Sequence, residues 1–147
     1  MLLEGDRDPE LLFGFLDELQ DLGFDGLEGG VAVGAGDDFV ALVGQALKYL
    51  MPRLQKAGYP EEAQKQVIHF FKDLGGAPVV IAVTIFKASD PYAERSLIQS
   101  GAALMQNLLL AAEAEGLGTC WMAGANYLEK EILQFLGKED QQILALT

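Results

Sequence analysis

The chain has 147 residues, half of them hydrophobic, which suits one globular domain with a sizeable core. Its formal net charge of −12 argues against nucleic acid and against anionic membrane surfaces, since both recruit clustered Lys and Arg. One cysteine excludes an intramolecular disulfide, and one cysteine with one histidine excludes the usual zinc ligand sets.

The charge is uneven. Residues 1–45 hold 11 of the 22 acidic residues and one of the ten basic ones, Arg7. They form an atypical acidic, Gly-rich segment ahead of the rest of a single domain over 1–147. The start, "MLLEGDRDPELL", lacks the basic residues and apolar run of a signal peptide. The longest apolar runs fall well short of the roughly 20 residues that cross a bilayer. The chain therefore reads as soluble and cytoplasmic.

Residues 9–22, "PELLFGFLDELQDL", place apolar side chains at helical spacing, with Asp8 as N-cap and Pro9 at the first helical position. Residues 23–37 hold six glycines and no cation, a loop in which "GVAV" marks a short strand. Phe39 to Leu50 predicts one helix, which Pro52 kinks or ends. "GYPEEAQKQVIHFFKDLGG" predicts the next, with two glutamates at its positive end and Gly75-Gly76 as its stop. "PVVIAVTIF", residues 78–86, is short, continuous and β-branched, the pattern of a central strand buried on both faces. A long helix follows, capped by Ser89 or Asp90, opened by Pro91 and ended by Gly116. "LGTCWM" predicts a short buried strand. "ANYLEKEILQFLG" predicts a helix capped by Asn126 and stopped by Gly137, and "QQILALT" a last strand. The order from residue 78 is β-α-β-α-β, which places helices on a sheet.

Few residues offer chemistry. "GAG" at 34–36 follows an apolar strand, as in nucleotide- or methyl-donor-binding α/β domains. However, the third glycine of that pattern is replaced by Phe39, and Asp37-Asp38 would repel a phosphate. His69 sits beside Phe70 and Phe71 with no Ser or Cys motif near it, which makes it a packed or surface residue. Cys120, inside the predicted buried strand, reads as an inert small hydrophobe. Glu113 and Glu115 end an apolar helix and read as solvated. The stripe from Leu97 to Leu110 is core, and Gly101, Ala102 and Ala103 permit close approach of another element. With no nucleophile or general base in view, chemistry falls to a bound cofactor.

"GGAPVVIAVTIF", then "SGAALMQNLLLAAEAEGLGTCWMAG" and "EKEILQFLG", carry a resemblance in their order and spacing. Residues 75–147 resemble the later half of the FMN-dependent nitroreductase family. The resemblance implies an α+β fold, a sheet flanked by helices and incomplete at both ends. It also implies an intertwined homodimer with FMN at the subunit interface. Electrons would pass from NAD(P)H to nitroaromatics, quinones or similar small-molecule acceptors. In that family the segment after Gly-Leu-Gly passes the flavin ring, which assigns Met122, Ala123 and Gly124 as cofactor-binding residues. The family's Arg-rich opening, its Asn-x-Gln-Pro-Trp-like segment and its phosphate-binding tail have no counterpart here. Two alternatives therefore stand beside the flavoenzyme: the same fold without FMN and without catalysis, and an unrelated nucleotide-binding α/β domain using "GAG".

Overall fold

Six consecutive buried residues, Val80 to Ile85, set the architecture. They belong to strand β2 (Val80–Phe86), which lies between β1 (Gly29–Gly34) and β3 (Gln141–Leu146) in a three-stranded sheet. Both pairings are antiparallel. The computed structural model describes residues 29–34 (backbone only), 37–77 and 79–147. The helix predicted over 9–22 and most of the "GAG" segment lie outside the described residues. Gly34 is the last residue of β1, and "GVAV" is strand as expected.

β2 is covered on both faces. Val80 and Ala82 join the main core with Phe39, Val43, Phe71, Leu128, Ile132 and Leu146. On the other face, Ile81 packs with Leu108 and Ala112, and Val83 with Leu104 and Met105. Successive strand residues point to opposite faces, so a strand between two layers must be apolar throughout. Each large apolar side chain fully buried this way contributes about 1.5–3 kcal/mol.

One covering layer contains α1 (Asp37–Gly44), α2 (Leu47–Lys56), α3 (Glu61–Asp73) and α5 (Glu129–Leu136). The other is α4 (Pro91–Ala114). The α+β fold of helices on a sheet is as expected.

The single helix expected over Phe39–Leu50 is instead two. The chain breaks at Gln45 and Ala46, whose N–H groups bond three residues back, to Leu42 and Val43 carbonyls, at 3.0 Å each. Gly44 lets this corner approach α3, since a Cβ there would lie 2.9 Å from the Phe71 carbonyl oxygen. Pro52, expected to kink or end the helix, sits inside α2. Pro52 and Lys48 are both exposed, so the Lys48 carbonyl that proline leaves without a helical donor lies on the solvent side of α2.

α4 follows its signals closely. Asp90 caps it, accepting from the Tyr92 and Ala93 N–H groups at 2.9 and 3.0 Å, with Pro91 next and Gly116 at φ +77° beyond its end. Gly101 is buried, and a Cβ there would meet Ile85 and Leu144 at 3.0 and 3.1 Å. Close packing of α4 on the sheet accounts for this glycine. His69 is exposed, as one of its two expected settings.

Candidate functional site at the turn after α4

The segment from Leu117 to Trp121 is not the buried strand expected. Cys120 and Trp121 are exposed, Trp121 by 41%. Only Met122 pairs with the sheet, in a single bridge to Leu146. The reason lies in β3's hydrogen-bonding groups. The Ile143 N–H donates to Glu129 Oε1 and the Leu144 carbonyl accepts from Asn126 Nδ2, both at 2.8 Å. Side chains thus occupy groups that an adjoining strand would need. Asn126 therefore ties the turn to β3 rather than capping a helix, and its Oδ1 is buried without a partner among the described residues.

The three residues assigned to the cofactor differ in their backbone. Met122 donates to the Leu146 carbonyl at 2.8 Å and accepts from the Leu146 N–H at 3.0 Å, so both its groups are committed. The exposed Ala123 accepts from the Asn126 N–H at 3.1 Å. The N–H groups of Ala123 and Gly124 donate to no other described residue. They form two adjacent donors, unused among the described residues, at the entry to a short 3-10 turn, Gly124–Leu128.

Gly124 is required by packing. A Cβ on it would lie 3.1 Å from Leu50 Cδ1, 3.5 Å from Leu50 Cδ2 and 3.5 Å from Phe71 Cζ. The turn therefore rests on α2 and α3, with its backbone held at a fixed height above them.

Beside these donors is a group that sequence reading missed. Tyr127, in the same turn, stacks at 5.8 Å on Tyr49 of α2. The Arg53 guanidinium lies 4.4 Å from the Tyr127 ring centre and donates to the Tyr127 hydroxyl. Lys48 lies 4.8 Å from the Tyr49 ring centre. The available signal was the i, i+4 spacing of Tyr49 and Arg53 on a helix with three cations and no acid.

A separate groove of about 750 Å³ is lined by Lys87, Glu94, Glu129, Lys130 and Gln141 among others. Met122, Ala123 and Gly124 do not line it, and its mixed charges suit no flat apolar ring. No group of three or more His, Cys, Asp and Glu able to hold a metal occurs among the described residues. No helix among them is long and apolar enough to cross a membrane.

The family model of the Nitroreductase family matches residues 38–147. The chain belongs to the nitroreductase family. The match extends well upstream of the resemblance at 75–147, taking in α1, α2 and α3. The crystal structure of a nitroreductase-like family protein from Bacillus cereus is similar in fold, with a TM-score of 0.62 at 18% identity. That likeness covers 99% of this chain and 75% of the other. No curated protein sequence matches the chain. Nitroreductase-family membership supports an oxidoreductase of the nitroreductase type, in a family whose members typically bind flavin and are typically dimeric.

Proposed function

We propose that the chain is an FMN-dependent oxidoreductase that passes electrons from NAD(P)H to nitroaromatic, quinone or similar acceptors, working as a homodimer. The observation that carries this reading is the pair of unused N–H donors at Ala123 and Gly124, in the segment that the family resemblance sets against the flavin. The residues present fit the group. A flat ring with polar edge atoms needs free donors on backbone with little side chain in the way, and Ala123 and Gly124 bring two N–H groups that no described residue takes, with one methyl group between them.

Bound flavin would supply reversible hydride acceptance, which no side chain here offers. The chain's own residues hold and orient. The Ala123 and Gly124 N–H groups would hold the ring by donating to it. Met122, fixed by its two bonds to Leu146, sets the position of those donors. The contact of Gly124 with Leu50 and Phe71 keeps the turn from receding. Trp121, exposed in the single chain, offers an apolar plate that excludes water once it is covered.

The test is a titration of the purified chain with FMN, followed by flavin absorbance, flavin fluorescence and light scattering. The expected result is stoichiometric uptake by a dimer and NAD(P)H-dependent bleaching of the flavin band. A colourless chain that takes up no FMN would overturn the reading in favour of the same fold without the cofactor. That second reading draws on residues 1–45, where Arg7 is the only cation.

A further inference from the structure

Among the described residues, the cationic aromatic group on α2 meets no carboxylate. α2 carries Lys48, Arg53 and Lys56 and no acid, within a chain of net charge −12. With 22 acidic and ten basic residues, a cation here has every chance of a carboxylate neighbour. Yet neither Arg53 nor Lys48 forms an ion pair among the described residues. Both lie over aromatic rings instead.

The location is specific. Leu50 of the same helix supports Gly124 from below, and Tyr127 follows Gly124 by three residues. Arg53, Tyr127 and Tyr49 are exposed, so the group is open to a ligand. Arg53 has five N–H donors and spends one on the Tyr127 hydroxyl. The ring contact holds its plane, so less side-chain freedom is lost when the remaining donors engage an oxyanion.

We propose that Arg53, with Lys48 in support, anchors the phosphate of FMN laid along Ala123 and Gly124. This rests on the flavin reading above. A phosphate dianion matches the forked donors of an arginine, and charge-assisted bonds of this kind are roughly twice as strong as neutral ones. It would give the phosphate a cation on α2, where residues 1–45 offer only Arg7.

FMN and riboflavin differ by the phosphate alone, so the two ligands separate ring from anchor. The 147-residue chain is titrated with each by fluorescence quenching, alongside Arg53→Gln, Arg53→Lys and Lys48→Gln. Both positions are on the surface, and thermal melts of the three variants check their folding. The expectation is that the wild type prefers FMN by about tenfold or more. Arg53→Gln removes most of that preference and leaves riboflavin affinity unchanged. Arg53→Lys keeps part of it, Lys48→Gln lowers it less, and salt weakens FMN binding selectively. Riboflavin bound as tightly as FMN by the wild type would overturn the anchor and leave the flavin reading standing. So would Arg53→Gln weakening both ligands alike. If neither ligand binds, both readings fall together.

Discussion

Gly124 separates two accounts of the turn. If packing demands the glycine, Gly124→Ala must push its methyl against Leu50 Cδ1, which a Cβ would approach to 3.1 Å. That distance is a few tenths of an ångström too short, and the obstacle is the end of a side chain that can turn. The cost belongs at the low end of the 1–3 kcal/mol typical of overpacking, about 1 kcal/mol. For a chain of this size, that lowers the melting temperature by about 2–4 °C. Leu50→Ala alone loses a half-buried side chain and costs about 1–2 kcal/mol, below the range for fully buried leucines. In the double variant the alanine methyl enters the space that Leu50 leaves. The two costs should then fall short of additivity by about 1 kcal/mol. Urea denaturation of the four proteins measures this coupling directly. Additive costs, or a Gly124→Ala variant as stable as the wild type, would refute the packing account. A Gly124→Ala variant that lost only FMN binding would show that the glycine serves the ring alone.

At Gly44 the same substitution should cost more, about 1–2 kcal/mol by denaturant titration, because the obstructing Phe71 oxygen is backbone and cannot turn aside. Asp90→Ala should destabilise the chain by about 1 kcal/mol in thermal melts, through loss of both capping bonds. Thr84→Val is expected to cost about 1–3 kcal/mol, since it leaves the buried Gln141 Oε1 without its donor at 2.5 Å. In the flavin-free monomer, Cys120 should react with a thiol reagent as fast as in urea. Protection in the native state would mean that the segment is covered.

The parts of the fold that sequence predicts well are those decided by local or one-dimensional patterns. β2 is legible because burial on both faces makes the run apolar without interruption. α4 is legible because Asp90, Pro91 and Gly116 act within a few residues of themselves. The breaks that sequence misplaces are decided by contacts distant in the chain. Pro52 is a strong local stop signal, yet the turn occurs at Gln45 and Ala46, where the corner meets Phe71 of α3. "LGTCWM" has strand composition, but a strand needs an open neighbour, and Glu129 and Asn126 already hold groups of β3. The site is half legible for the same reason. Met122, Ala123 and Gly124 could be assigned by resemblance, whereas the cluster of Tyr49, Arg53 and Tyr127 joins residues 74 or more positions apart.

α2 connects that site to the core, and helical geometry explains how. At about 100° per residue, Tyr49, Arg53 and Leu50 fall within one wedge roughly 100° wide. In a 3-10 turn, residues three apart eclipse, so Gly124 and Tyr127 present the same side. One face of α2 therefore meets one face of the turn at three points: Leu50 under Gly124, Tyr49 against Tyr127, and Arg53 over Tyr127. The half-buried contact fixes the height of the backbone donors, and the exposed contacts aim the cation. Changes at Leu50 should then alter stability and the preference for FMN over riboflavin together, because they shift the common face. Changes at Arg53 should alter the preference alone, because its side chain supports nothing in the core. A Leu50→Ala variant with lowered stability and an intact preference would show that the two functions of the helix are independent.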